Sequence, residues 1–265
     1  MEEFRNNNQN NQNNEEYEPY DSWGTIETAV NVGSAAKPAF GTAGRGYTEV
    51  FYGEGVEDRQ YLLTIIGCLF WGFLVNLLMC VTLGKSLAQS SDGSFLALVV
   101  PLQIVSCFMN AFSKKAITKF IAYNMLVVPM GLEIAFVVGV MTAVGLMDAV
   151  LMALIGTLII GAVMFAMAYF KPEVFLSLGR TLLVVTIAAI PAALLIAIFA
   201  PAAYITMDIV FTLIFALWLG FDISRAMAQP KSVANAITSA FDVYYDLAYI
   251  FLRLLLLMAK NSSKR

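Results

Sequence analysis

Five acidic residues lie within long apolar segments, and they are the residues of this sequence best placed to do chemistry. They are Glu133, Asp208, Asp222, Asp242 and Asp246. An ionisable group inside hydrocarbon is costly unless it has a partner, so such residues usually face a cavity, a pathway or one another. We therefore take all five as candidates for a site that senses or conducts an ion.

The spacing of the four aspartates predicts two acidic helix faces. Asp208 and Asp222 are fourteen residues apart, which in a helix places them within about 40° of one face and about 21 Å apart along the axis. Asp242 and Asp246 are four residues apart and also share a face. If the two helices pack as antiparallel neighbours, Asp222 and Asp246 meet inside the protein.

Two carboxyl groups at close range predict a proton-sensitive latch, because both cannot be ionised cheaply and the pair shares a proton near physiological pH. With the proton the pair is a closed hydrogen bond, and without it the two anions repel each other and attract a cation. Asp208, Asp242 and Glu133 are then candidates for the ion pathway. The alternative interpretation is that Asp222 merely caps the end of its helix beside Arg225 and that Asp242 lies at the membrane interface.

Two other charged positions also allow a simple structural role. Glu133 follows Pro129 by four residues, so it either lines a cavity or accepts hydrogen bonds from backbone groups that a proline kink releases. Arg253 lies on the same helix face as Asp246, about two turns away. We expect its long side chain to extend towards the lipid headgroups.

Several kinds of chemistry are excluded by composition. The chain has no histidine, which removes Ser-His and Cys-His catalysis and His-containing zinc or haem sites. Its three cysteines lie in apolar stretches without CxxC spacing, so we expect neither disulfides nor a cysteine metal site. An intramembrane aspartyl protease would also use two aspartates, but its GxGD and Pro-Ala-Leu motifs are missing. We therefore predict no catalytic residues, no metal, no cofactor and no nucleic-acid partner.

The elements that carry these acids are predicted to be membrane helices. Of the 265 residues, 59% are apolar and 13% charged, with a mean hydropathy of +0.74, whereas soluble domains have about 45–50% and about 25%. A helix needs about 20 mostly apolar residues to cross the bilayer. Seven runs meet this need: Tyr61 to Leu83, Ser94 to Phe112, Phe120 to Met141, Met147 to Tyr169, Leu178 to Ala200, Ala203 to Gly220 and Ala240 to Met258. The sequence therefore predicts an all-α, polytopic membrane protein.

The basic residues between these runs predict the orientation. The connections after the second, fourth and sixth runs hold most of them, namely Lys114, Lys115, Lys119, Lys171, Arg225 and Lys231, and the other connections hold only Lys85. Basic connections stay in the cytoplasm, so we place the N-terminus there as well. The C-terminal Lys260, Lys264 and Arg265 disagree with seven full crossings. Either the last run is a re-entrant hairpin or these charges are translocated.

The first 58 residues differ in kind from the remainder. Residues 1–58 hold eleven acidic and three basic residues, and 59–265 hold eight acidic and thirteen basic ones. The first part contains the run NNNQNNQNN, and such segments bury too little apolar surface to fold. We predict a disordered, acidic, Asn/Gln-rich tail over 1–58 and a seven-segment membrane domain over 59–265.

Two motifs near the C-terminus resemble the signature of the Bax inhibitor-1 family, also called the transmembrane Bax inhibitor motif family. The first lies in FALWLGFDISR, residues 215–225, and matches at Asp222. The second lies in AITSAFDVYYDLAYIFLRLLLL, residues 236–257, and matches at Asp246. A third, weaker similarity covers residues 170–180. Together they extend the resemblance from about residue 60 to 258.

This sequence departs from the family pattern in several places. Phe221 and Ile223 replace the usual Tyr and Thr. Some members hold the acid pair with an arginine on the second helix, but here no arginine lies between Arg59 and Arg180. Amides in the same segments are candidate replacements, though each is equally suited to joining helices; they are Gln103, Asn110 and Asn124.

The resemblance implies a bundle in which six helices surround the seventh, and a pH-sensitive calcium leak with Asp222 and Asp246 as the proton sensor. It also implies association with cell-death suppression in eukaryotes, a plasma or inner membrane location in a prokaryote, and, in some bacterial members, a membrane AAA protease as partner. The alternative function is a regulatory membrane protein that binds such a partner without moving ions. The acidic tail favours that alternative.

Overall fold

The computed structural model describes residues 55–89, 95–199 and 204–262, which form seven helices. We number them in chain order: α1 Asp58–Gln89, α2 Leu96–Phe112, α3 Ala116–Ala143, α4 Met147–Phe170, α5 Pro172–Phe199, α6 Tyr204–Ala228 and α7 Val233–Ser262. Each predicted membrane segment coincides with one helix, and the all-α fold is confirmed. The predicted tail up to residue 54 lies outside the described residues.

Within the described residues, five helices are long and apolar enough to cross a bilayer: α1, α3, α4, α5 and α6. Helix α2 is apolar but has only 17 residues. Helix α7 has 30 residues, about 45 Å, and is less apolar because it carries Asp242, Asp246 and Arg253. Long apolar helices on this scale make the protein a multi-pass membrane protein.

Helix α7 lies at the centre of the bundle. It packs against α1, α3, α4 and α6, and Tyr244, Ile250 and Leu255 on it are fully buried. The outer helices instead expose large apolar side chains such as Phe70 and Val81, as expected of a surface that faces lipid. The polar residues of α7 are therefore shielded by protein.

Small residues allow α1 and α3 to cross closely. A methyl group added at Gly139 would overlap the backbone carbonyl of Gly84, and one added at Gly72 would overlap the hydroxyl of Tyr123. Membrane helices associate through such close backbone contacts, since apolar burial gives them little drive to pair. These glycines therefore allow the backbones of α1 and α3 to pack in direct contact.

Hydrogen bonds attach the start of α1 to the last turn of α6 and to the connection between α6 and α7. The backbone N–H of Val56 donates to the carbonyl of Lys231 at 3.0 Å, and the hydroxyl of Tyr61 donates to the carbonyl of Ala226 at 3.0 Å. Lys231 lies 4.6 Å from the centre of the Tyr61 ring, and burial lowers the pKa of its ammonium group. The N-terminal end of α1 and the α6–α7 connection thus share one end of the bundle, as the predicted orientation requires.

Helix α7 runs without interruption from Val233 to Ser262. A re-entrant hairpin would break the helix near its middle, and no break is present in the described part. Of the two predicted alternatives for the last segment, the structure therefore has the continuous helix.

Candidate functional site

The structure brings Asp222 and Asp246 together inside the bundle. Helices α6 and α7 pack side by side, and the side chains of Asp222 and Asp246 lie close enough to interact with each other. Asp222 is 8% exposed and Asp246 3% exposed. A hydrogen bond between two carboxyl groups needs one proton, because an ionised carboxylate can only accept. The two acids thus form a buried carboxyl pair, in which a hydrogen bond would require one proton.

One oxygen of Asp246 is available for a further interaction. Among the residues that the structure describes, none donates a hydrogen bond to Asp246 Oδ2, although this atom is buried. A buried acceptor without a partner is costly, so a cation or other donor that reached it would be stabilised.

Arg225 connects Asp222 with a third acid. Its Nη1 lies 3.7 Å from Asp222 Oδ1, and its Nη2 donates to Asp242 Oδ2. Asp222 therefore lies beside Arg225, as one interpretation of the sequence expected, and contacts Asp246 at the same time. We call Asp222, Asp242, Asp246 and Arg225 the acidic cluster.

Lys119 supplies a second positive charge near the acidic cluster. The sequence placed it in a connection, but it lies in the first turn of α3 and is 3% exposed. Its Nζ donates to Thr238 Oγ1 at 2.6 Å, and it acts electrostatically on Asp242. With one shared proton, the three acids carry two negative charges, which Arg225 and Lys119 balance.

A cavity of about 850 Å³ borders the acidic cluster and is lined by residues of five helices. Asp222, Asp242 and Asp246 line it together with Arg225. Most of its remaining wall is apolar or aromatic, with Phe215, Trp218, Tyr245 and Tyr249 beside the acids. A few convergent charges in an otherwise apolar cavity are typical of a binding site or a pathway.

The structure places Asp208 apart from the acidic cluster. Asp208 is fully buried, and its two oxygens accept from Arg253 Nη1 at 3.0 Å and from Lys260 Nζ at 2.7 Å. Arg253 therefore turns inward to an acid, and the prediction that it extends to the headgroups is wrong. We call Asp208, Arg253 and Lys260 the distal cluster.

Sequence spacing contains a signal for the distal cluster. Asp208 precedes Asp222 by fourteen residues, and Lys260 follows Asp246 by the same number. In two antiparallel helices that meet at Asp222 and Asp246, Asp208 and Lys260 are therefore at the same depth. A buried acid level with a lysine on the neighbouring helix predicts an ion pair.

Glu133 and the three amides take part in hydrogen bonds of their own. Gln103 Nε2 donates to Glu133 Oε2 at 3.3 Å, which connects α2 with α3. Asn110 accepts from Thr238, and Asn124 accepts from Trp71. None of the three amides donates to Asp222 or Asp246 in the described part of the chain, where Arg225 is the cation beside the pair.

A polytopic helical bundle with a buried carboxyl pair on its last two helices defines the class of protein. A family model described as "Inhibitor of apoptosis-promoting Bax1" matches residues 55–263. The chain belongs to the Bax inhibitor family. A comparison with curated proteins found no match. The family match covers all seven helices and excludes most of the acidic tail.

Proposed function

We propose that the protein is a pH-sensitive leak channel for cations, with Ca²⁺ as the conducted ion, and that the pair of Asp222 and Asp246 is its gate. The observation that carries this proposal is the contact between two buried carboxyl groups in the wall of a large cavity. The resemblance to the family's motifs also supports the proposal, because Asp222 and Asp246 are the two positions that match them.

In this proposal, protonation of the pair determines whether α6 and α7 are joined at Asp222 and Asp246. With one proton the pair is joined by a hydrogen bond, and Arg225 neutralises part of the remaining charge. When the proton leaves, two anions face each other in a region of low dielectric constant, where repulsion is much stronger than in water. The helices then separate or a cation enters between the carboxylates.

The acidic cluster suits a passing Ca²⁺ better than a stored one. Ca²⁺ prefers six to eight oxygen ligands, and the cluster offers three carboxyl groups, of which Asp242 is already paired with Arg225. Weak coordination allows the ion to leave, which a conducting pathway requires.

The test is Ca²⁺ flux into proteoliposomes between about pH 6 and about pH 8, where a shared proton is expected to dissociate. We expect flux to rise with pH in the unmodified protein. Asp222→Asn and Asp246→Asn each keep a hydrogen-bonding side chain but cannot form two facing anions. Both variants should lose the pH dependence.

Asp148→Asn is the matched control, because Asp148 is an aspartate in the first turn of α4 and outside the cavity lining. It should keep the pH dependence. If folded protein gives no flux at any pH, the leak proposal fails and the partner-binding alternative takes its place. If flux persists with the same pH dependence in both Asn variants, the pair is not the gate.

A further inference from the structure

The distal cluster pairs one completely buried acid with two partly exposed cations. Asp208 has no exposed surface, and each of its two carboxylate oxygens accepts from a different cation on α7. A buried charge is tolerated only when it is well paired. Asp208 on α6 therefore contributes to the positions of both Arg253 and Lys260.

Arg253 belongs both to the distal cluster and to the cavity wall. It follows Asp246 by seven residues on α7, about 10 Å along the helix axis, and its side chain lines the cavity. Its guanidinium group lies 5.1 Å from the centre of the Phe211 ring, which also lines the cavity. Asp208 and Phe211 together hold the guanidinium at the end of the cavity away from Asp242.

A cation that moved along the cavity from Asp246 would meet this guanidinium. Repulsion between like charges is strong where water is scarce. Glu133 acts electrostatically on Arg253 from α3 but does not line the cavity, so it offers the ion no compensating contact there. The charge at this end opposes passage.

We propose that the distal cluster is a second closure of the cavity, in which Arg253 is the blocking residue and Asp208 the positioning residue. Its role in conduction rests on the proposed leak function. The proposed closure limits access to the cavity from the distal end. This access is measured without any ion flux.

Cys107 is a native reporter for that access, because it lines the cavity. The test uses the full chain with Cys68→Ala and Cys80→Ala, so that Cys107 is the only thiol. A membrane-impermeant trimethylammonium methanethiosulfonate is applied separately to each face of the membrane, and the rate of Cys107 modification is measured. The same protein with Cys107→Ser in addition gives the background signal of the labelling reaction.

We expect Arg253→Gln to raise the modification rate from the distal face by about tenfold or more, because the fixed charge that repels the reagent is gone. Asp208→Asn should raise it less than Arg253→Gln does, since it releases the guanidinium from its fixed position but leaves both cations in the cluster. Arg253→Lys keeps the positive charge and should stay near the original rate. The rate from the opposite face should not change in any of the three.

Arg180→Gln is the matched control, because it removes an arginine of α5 that does not line the cavity, and it should leave both rates unchanged. The proposal is overturned if folded Arg253→Gln and Asp208→Asn both keep the original distal rate, or if Arg253→Lys opens access as far as Arg253→Gln does. If Arg253→Gln or Asp208→Asn fails to fold, the distal modification rate of the other variant decides. Faster distal modification without Ca²⁺ flux would support the closure and reject the leak.

Discussion

At the scale of single residues, Arg225 is the side chain on which the acidic cluster depends. It interacts with Asp222 on its own helix and with Asp242 on α7, so one guanidinium group serves two acids on neighbouring helices. An arginine suits this position because its planar group presents several donors in fixed directions. A lysine offers a similar charge but not the same paired geometry.

This role predicts the effect of Arg225→Gln on the proposed gate. Removing the positive charge makes a nearby carboxyl group hold its proton more tightly, so the rise of Ca²⁺ flux should move to a higher pH by about one unit. Flux in proteoliposomes as a function of pH measures the shift. Arg225→Lys should move the curve of flux against pH less than Arg225→Gln does. Equal shifts in the two variants, or a shift of Arg225→Gln to lower pH, would contradict this role of Arg225.

The sequence predicts the acid pair better than its surroundings. Asp222 and Asp246 lie on consecutive helices joined by a short connection, so the two helices are expected to pack as antiparallel neighbours. The partners of Lys119 and Arg253 depend on how deep each helix lies and on which faces meet, and periodicity does not specify either. Lys119 appeared to be a connection residue because charge is the usual sign of a membrane boundary.

At the scale of helices, the close crossing of α1 and α3 is the contact most sensitive to side-chain size. The space at Gly139 is occupied by the backbone of Gly84, and backbone cannot move aside as the end of a flexible side chain can. The length of the apolar runs predicts that these helices exist, but it does not predict which of them touch.

We therefore expect Gly139→Ala to destabilise the bundle by about 1–3 kcal/mol, as overpacking commonly does. The thermal unfolding temperature in detergent should fall clearly. Gly67→Ala is the matched control on α1, because no heavy atom lies within 4 Å of the added methyl group. A control that loses as much stability as Gly139→Ala would show that the close crossing is not the cause.

At the scale of the whole molecule, the acidic cluster and the distal cluster divide the bundle along its axis. The acidic cluster lies towards the end that contains the start of α1 and the α6–α7 connection. The distal cluster lies about 21 Å away along α6, since fourteen residues separate Asp208 from Asp222. The cavity extends between them and contacts one charged group of the distal cluster, Arg253. A leak through this bundle would need both ends to open.

The same arrangement predicts where the C-terminus emerges. The start of α7 is at the end of the bundle that also holds the start of α1, and α7 continues for 30 residues, about 45 Å, which exceeds the thickness of the hydrocarbon core. If the N-terminus is cytoplasmic, the C-terminus lies on the opposite face, despite its basic residues. The distal cluster explains how this is tolerated, because Lys260 reaches an acid inside the protein.

Cysteine labelling in intact cells tests this topology. In a full chain whose three native cysteines are replaced by alanine, Lys264→Cys should react with an impermeant maleimide added outside. Lys114→Cys, in the exposed connection between α2 and α3, should react only after the membrane is permeabilised, since that connection is on the cytoplasmic side of the predicted topology. If both positions react only after permeabilisation, α7 does not cross the membrane, and the distal cluster cannot close a path to the far side.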